Sequence, residues 1–505
     1  MSPGKGVSMP LPQARINHIV VLMLENRAFD HLFGFAEPAP GQLIENVLSS
    51  ATGFSNRLDP SKPASATNPE FTAAKPAPFA VNDKNGPAHS FNAVNVQLCN
   101  SKTGPSATSP VTNNGFVRSY KDSLTSGSHH PTEEQIREVM QSFGPDQLPA
   151  INQLAAEFCL CDHWFCEVPG PTMPNRMFIH AATSEGYVHN AFNRDYTSKT
   201  IYELVAAKGL TWCTYFHDFN EVLQFKNLGQ STTNFRRFDE QWKSDVSHGQ
   251  LPNYVFILPR FVNKSATPTE PAQPANSQHA PEDVRFGEHL IADVYDALAG
   301  NPELFKQTVL IVTYDEHGGF FDHVGPGGVP NPDGQNSPNP DDTSAFQVPA
   351  FTFDRLGLRV PSLIVSPWVP KGIVENRVLQ HTSVITTAVE LFGLTGPLNA
   401  RDASAKGFAD VFTRLDAPRD PAHMPSTLNR PSIADPVLTT VAGVAIDSGD
   451  EPLDSLTDEW IRGFAALVAR RTGASLVSAT AKEALPTTQG EAADFVDRHL
   501  RAMGI

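Results

Sequence analysis

Thr172 stands between two prolines in "EVPGPTMPNRMFIHAATSEG", residues 167 to 186. Proline fixes its own φ and narrows the choices of the residue before it, so Pro171 and Pro174 leave the Thr172 backbone little freedom. A hydroxyl held that stiffly suits a nucleophile. The same residues also suit a loop leading into a helix near Asn175, with Thr172 or Asn175 as its cap. Two further clusters carry ligand chemistry. Glu25 and Asn26 close the apolar run "NHIVVLML", and Asp315, Glu316 and His317 close the run "TVLIVTY". Carboxylates with an amide oxygen and imidazoles suit a divalent ion, whether Mg²⁺, Mn²⁺, Ca²⁺, Zn²⁺ or Fe, and no soft thiolate set narrows the choice. Taken singly, "ENR" also reads as a helix N-cap and "DEH" as a solvated loop.

Groups so far apart in the chain meet only if the elements carrying them share an edge. Residues 17–24 and 308–314 are short β-branched apolar runs ending abruptly in polar groups, the pattern of buried strands. "LTWCTYF" (210–216), "PNYVFIL" (252–258) and "VPSLIVS" (360–366) are further core strands. Helices alternate with them. In "PEDVRFGEHLIADVYDALAG", Leu290, Ile291, Val294 and Leu298 fall on one face and Gly300 closes the element. Segments 147–158, 199–208 and 382–392 have the same character. This alternation predicts a three-layer α/β/α sandwich with a mainly parallel central sheet and its site beyond the strand C-termini.

Long segments rich in Pro, Ser, Asn and Gly, at 36–88, 100–114, 263–281 and 324–350, are expected to be loop insertions around the site. The catalytic unit is expected to span 15–415, with a loop-rich C-terminal helical extension over 416–505. In that extension Trp460, Ile461, Phe464, Leu467 and Val468 form a stripe, and a second amphipathic stretch covers 490–503. Packing against its own domain is the expectation for both.

The 505 residues carry 38 basic and 54 acidic side chains, a net charge of -16, which argues against a general grip on nucleic acid or anionic lipid. The first residues lack the pattern of a signal peptide, so the chain as written reads as cytoplasmic, with export by a signal-free route as the alternative. Cys99, Cys159, Cys161, Cys166 and Cys213 make neither a disulfide framework nor a paired zinc site, and read as buried thiols.

Taken together, "VLMLENRAFDHLFG" (21–34), "VPGPTMPNRMFIHAATS" (168–184), "TYDEHGGFFDHV" (313–324) and "VPSLIVSPWVPKG" (360–372) resemble the phosphoesterase family of non-specific phospholipases C and related acid phosphatases, within the alkaline-phosphatase-like superfamily. "GPAHSFNAV", "SQHAPEDVRFGE" and "QHTSVITTAVELFG" add to the resemblance, which covers roughly 15 to 415. It implies Thr172 as nucleophile and metal ligand, Glu25 and Asn26 as a first metal-binding pair, and Asp315 and Glu316 as a second. It places His89, His279, His317 and His381 around the site, with His279 or His381 as the acid for the leaving alcohol. Asn175 is expected to steady the phosphoryl oxygens, with Arg176 beside it.

The implied activity is metal-dependent phospholipase C chemistry. It would cut phosphatidylcholine-like lipids into diacylglycerol and a phosphorylated head group through a phosphothreonine intermediate. Transient membrane-surface contact goes with it. A broad-specificity phosphomonoesterase would use the same residues, and a binding protein on a retired enzyme scaffold is the reading from a different class. One departure stands out: the family's serine in "ENRSFDH" is Ala28 here. Asp322 in "GGFFDH" is expected to support the site without touching the metal.

Overall fold

The computed structural model describes residues 15–81, 86–125, 131–192, 194–228, 232–266, 271–338, 350–433, 453, 455–472 and 485–505. Its centre is an eight-stranded sheet. In chain order the strands are β1 (His18–Leu24), β2 (Cys159–Cys161), β3 (Trp212–Phe216), β4 (Phe235–Arg237), β5 (Tyr254–Ile257), β6 (Thr308–Tyr314), β7 (Ser362–Val365) and β8 (Ile373–Glu375). They lie side by side as β8-β2-β7-β6-β1-β5-β3-β4. Only β7 runs antiparallel to its neighbours. Isoleucines, valines and leucines dominate β1, β6 and β7 because both faces of the sheet are covered, and every residue of β6 is buried.

Helices α1 (Pro149–Glu157), α2 (Thr172–Ala181), α3 (Ile201–Ala207), α4 (Phe238–Ser247), α5 (Arg285–Ala299) and α6 (Thr382–Phe392) form the outer layers. The rings show which face each covers. Tyr202 of α3 packs on Trp212 and Tyr254, while Trp242 of α4 packs on Tyr215, which points the other way along the same strand. Helices α2 and α6 pack with α3's layer, and α1 and α5 with α4's. The three-layer sandwich expected from the sequence is the observed one. Buried Glu288 on α5 accepts from the Ala150 and Ile151 amides at 2.7 and 3.2 Å, tying two helices of one layer together at the N-terminus of α1.

The segment expected as loop from 36 to 88 holds a small hairpin, Ser55–Arg57 with Glu70–Thr72. Phe71, Val94, Phe116, Tyr120 and Phe320 build a second small core there, over the sheet edge that carries the site. The loops at 263–281 and 324–350 fall partly outside the described residues. In the C-terminal extension, α7 (Ser455–Thr472) and α8 (Gln489–Ala502) join the main core. The Trp460 ring sits 4.4 Å from Phe192 and 5.0 Å from both Phe219 and Phe261. All five cysteines are free and buried.

Candidate active site

Because β1 and β6 are parallel neighbours in register, with Leu24 opposite Tyr314, the polar residues that follow them emerge side by side. The Asp315 amide donates to the Leu24 carbonyl at 3.2 Å. Asn26 takes a left-handed conformation, φ 60°, which an asparagine tolerates better than a branched residue. Its amide nitrogen then donates to Asp315 Oδ1 at 3.0 Å. Gly318 leaves no room for a side chain, since a Cβ would lie 2.0 Å from the Asn26 carbonyl oxygen.

Thr172 is fully buried and is the first residue of α2, with Pro171 as N-cap, so the helix starts earlier than Asn175. Pro174 fits because the first turn needs no amide donor there. The Thr172 hydroxyl donates to Asn26 Oδ1 at 3.4 Å. The rest of the Asn26 amide is accounted for by His89. His89 Nδ1 donates to the Pro87 carbonyl at 2.9 Å, which leaves Nε2 to accept from Asn26 Nδ2 at 3.3 Å. His89 Nε2 also lies 4.0 Å from Glu316 Oε1, and its ring meets that of His279 edge-on at 5.6 Å.

Carboxylates crowd this point. Burial pushes Glu316 up to about 8, with Asp315 adding to the effect and His89 opposing it. Glu25 is raised well above the usual carboxylate range, first by burial and then by Asp315, Glu221 and Glu316, against the pull of Arg176. Burial holds His317 down to about 3, and His317 Nε2 donates to Gln97 Oε1 at 2.8 Å. Its Nδ1 lone pair therefore faces Glu316 Oε2 at 3.3 Å. Glu25 Oε1, Glu316 Oε1, His317 Nδ1 and His279 Nε2 are all buried without a hydrogen-bond partner among the described residues.

Orphaned acceptors beside an amide oxygen and a hydroxyl are the surroundings a hard divalent cation requires. Glu25 and Glu316 offer such orphaned oxygens, with Asn26 Oδ1 and the Thr172 hydroxyl as further donors to an ion, while Asp315 beside them already accepts from the Asn26 and Glu316 amides and from Arg176.

The sequence pattern of the Phosphoesterase family matches residues 16–395. The chain belongs to the phosphoesterase family. It is a hydrolase acting on phosphoric ester bonds. It is 35% identical to non-specific phospholipase C6 of Arabidopsis thaliana over 423 residues, 81% of this chain and 74% of the relative. To phospholipase C B of Mycobacterium tuberculosis it is 28% identical, over 81% of this chain and 79% of that protein. An alkaline phosphatase superfamily protein from Vibrio parahaemolyticus aligns at 14% identity over 52% of this chain and 64% of its own, with a TM-score of 0.31, so the fold rests on the topology above.

Three residues of the phosphoesterase sit differently from the sequence expectation. Asn175 turns its amide to the nucleophile loop: Oδ1 accepts from the Val168 amide at 2.9 Å, and Nδ2 donates to the Val168, Gly170 and Pro171 carbonyls at 3.0–3.2 Å. With every site used, it shapes the loop and leaves nothing for a phosphoryl oxygen. Arg176 lies under the carboxylates. It donates to Asp315 Oδ2 and Glu221 Oε1 at 3.1 Å each and stands 3.7 Å from Glu25 Oε1. Burial opposes the guanidinium charge, but Glu221, Asp315 and Glu25 outweigh it and hold the group more basic than usual. His381 is buried behind Asp315. The Trp164 indole donates to its Nδ1 at 3.1 Å, so Nε2 carries the proton and donates to the Asp315 carbonyl at 2.7 Å. Burial lowers its pKa, and both nitrogens are engaged. Of the two histidines proposed as acid, only His279 keeps a ring nitrogen without a hydrogen-bond partner among the described residues.

Sequence reasoning missed Glu221 and His180. His180 shares a helix face with Arg176 at the i, i+4 spacing, a legible hint of a common partner, and that partner is Glu221, 3.3 Å from His180 Nε2. Ala28 is the N-cap of the short helix Phe29–Phe33 and makes no side-chain bond. The missing serine thus removes a helix cap. The Asp322 carboxylate takes the Asp30 amide at 3.2 Å instead. Asp30, Asp322 and His323 form a further trio of potential ligands among the described residues. Its charge is already met: Arg359 donates to Asp30 Oδ1 at 3.2 Å and Asp322 Oδ1 at 2.9 Å, and His323 Nδ1 to Asp30 Oδ2 at 2.6 Å.

Proposed function

We propose that this phosphoesterase is a metal-dependent phospholipase C, cleaving phosphatidylcholine-like lipids to diacylglycerol and a phosphorylated head group. The observation that carries the chemistry is the Thr172 hydroxyl, fixed at a helix N-terminus against Asn26 and beside orphaned carboxylate oxygens. The named activity of its relatives, which it covers over most of their length, supports the substrate class.

A divalent ion held by Glu25, Asn26, Thr172 and Glu316, with Asp315 beside them, would lower the pKa of a bound hydroxyl and neutralise phosphoryl charge. The chain's own residues do the rest. The prolines and the Asn175 bonds hold Thr172 for in-line attack on phosphorus, giving a phosphothreonine. The α2 N-terminus adds positive potential where the phosphoryl charge lies. His279, held neutral by burial, has at Nε2 a lone pair that would take the proton Thr172 loses and return it to the leaving alcohol, and a water then releases the phosphoryl group. Arg176 and His381 act one step removed, holding Asp315 by its carboxylate and its carbonyl. Residues 15–415 carry this catalysis, and 416–505 buttress it.

Purified protein offered phosphatidylcholine and an aryl phosphomonoester in parallel tests the reading, with metal-stripped protein and Thr172→Ala as controls. Preferential release of diacylglycerol, lost in both controls, is expected. Preference for the monoester would make the enzyme a phosphomonoesterase. Full activity of Thr172→Ala on both substrates would remove the threonine from the mechanism.

A further inference from the structure

Among the described residues the large apolar side chains left exposed are few: Leu43 at 81%, Leu48 at 50%, Val378 at 48% and Val111 at 38%. Leu43 and Leu48 share one loop, and Val378 follows the strand end beside it. Asn376 Nδ2 donates to the Leu43 carbonyl at 3.3 Å, and the Val374 amide to Gln42 Oε1 at 3.0 Å.

The loop is built to project. The Gln42 amide donates to the Ala39 carbonyl at 2.9 Å, closing a turn with Pro40 second and Gly41 third. Gly41 has φ +84°, which defines a type II turn that proline and glycine stiffen. Nothing lies within 4 Å of where a Gly41 Cβ would stand, so the crest is open. From Pro38 to Ile44 the loop carries no charge. Its base is tied down: Asn46 Nδ2 donates to the Phe33 and Ala36 carbonyls at 2.9 and 2.8 Å, and the Glu45 amide to Asp162 Oδ2 at 2.9 Å.

Two of the rim charges are paired. Glu45 meets His163 Nε2 at 3.1 Å, and Arg377 meets Glu375 and Asp410 at 2.7 and 2.9 Å.

Position gives the patch a purpose. Asp162 and Asn376 follow the C-terminal ends of β2 and β8, which run parallel to β1 and β6. The turn thus lies along the open side of β8, with Ala39 beside Gly372 and Gln42 beside Val374, and Leu43 is the residue that reaches the strand ends on the side that carries Glu25 and Asp315. Three and four strand spacings separate it from β1, roughly 15–20 Å.

We propose that Leu43, with Leu48 and Val378, seats this enzyme on a zwitterionic phospholipid surface with its catalytic edge towards the lipid. The proposal rests on the phospholipase C reading. Three side chains cannot supply the roughly 800 Å² per partner that a stable protein interface buries, whereas each apolar side chain adds separately to insertion into a bilayer boundary. An uncharged crest on a chain of net charge -16 has no electrostatic use for anionic lipid.

The test uses the full chain with phosphatidylcholine vesicles, measuring co-sedimentation and turnover, and with a dispersed short-chain phosphatidylcholine and an aryl phosphate ester as soluble substrates. Leu43→Asp and Val378→Asp are expected to weaken vesicle binding about tenfold each and to lower vesicle turnover in step. Turnover of the soluble substrates should be unchanged, which also reports intact folding. Leu43→Trp should gain an emission blue-shift on vesicles, and added phosphatidylserine should not strengthen binding. Wild-type vesicle affinity in Leu43→Asp would overturn the proposal. So would a change in the free protein's own association state in that variant, which would assign the patch to a second copy. If the wild type turned over only the aryl ester, the phospholipase reading would fall, while vesicle binding would still report on the loop by itself.

Discussion

Arg401 and Glu167 offer a perturbation remote from the reacting atoms yet coupled to them. Arg401 is completely buried and donates from Nη1 to Glu167 Oε2 at 2.7 Å and from Nη2 to the Phe353 carbonyl at 2.6 Å. Glu167 Oε1 accepts from the Thr382 amide at 2.7 Å, so this pair clamps the start of the nucleophile loop to α6. Arg401→Met leaves the Glu167 carboxylate buried without its cation, a loss of about 3–5 kcal/mol. For 505 residues the unfolding entropy is about 1.1 kcal/mol/K at roughly 2.1 cal/mol/K per residue, so Tm should fall by about 3–5 °C. Loss of the clamp lets Thr172 drift from its line of attack, and kcat should fall about tenfold or more with KM little changed. Differential scanning calorimetry and steady-state kinetics read both effects. The decisive variant is Glu167→Gln with Arg401→Met, which removes the stranded charge and should be more stable than Arg401→Met alone. If the two substitutions simply add, the clamp is not an ion pair in energetic terms and the reasoning fails.

Glu288 gives a pH signature. Burial lifts it from 4.5 to about 8, so between those values the folded protein holds a proton that the unfolded chain releases. Wild-type stability should fall as pH rises through that window, by up to about 1.4 kcal/mol per unit. Glu288→Gln should lack this slope, matching the wild type below pH 4.5 and gaining on it up to about pH 8; parallel urea-denaturation curves would contradict this. Trp460→Ala should cost about 3–5 kcal/mol and lower activity more than Trp460→Phe. The reason is that Trp460 packs on Phe261, whose ring lies 5.3 Å from the Arg176 guanidinium carbon. Equal activity in the two variants would confine the extension to stability.

Much of this molecule can be read from local pattern. The apolar runs became β1, β3, β5, β6 and β7 because β-branched residues favour a pleated, two-sided burial. Helix ends followed their caps, as with Thr200 and Glu203 boxing the start of α3 and Gly393, φ 59°, closing α6. Glu25, Asn26, Asp315 and Glu316 were legible as a convergent polar group because the two strands they follow were expected in one sheet, and register does bring Asn26 to Asp315. What stayed hidden depends on contacts between distant segments. An apolar run reads alike in either direction, so nothing in "VPSLIVS" marked β7 as the antiparallel strand. The three-residue strands β2, β4 and β8 are too short to show a period and exist through their neighbours. Residue type showed that Arg176, Asn175 and His381 could bond. The choice of partner was made by register and burial, which turned Arg176 to Glu221 and Asp315, Asn175 to its own loop, and His381 to a backbone carbonyl. Hydrogen-bonding capacity is local to a side chain, whereas its satisfaction away from water is a property of everything packed around it.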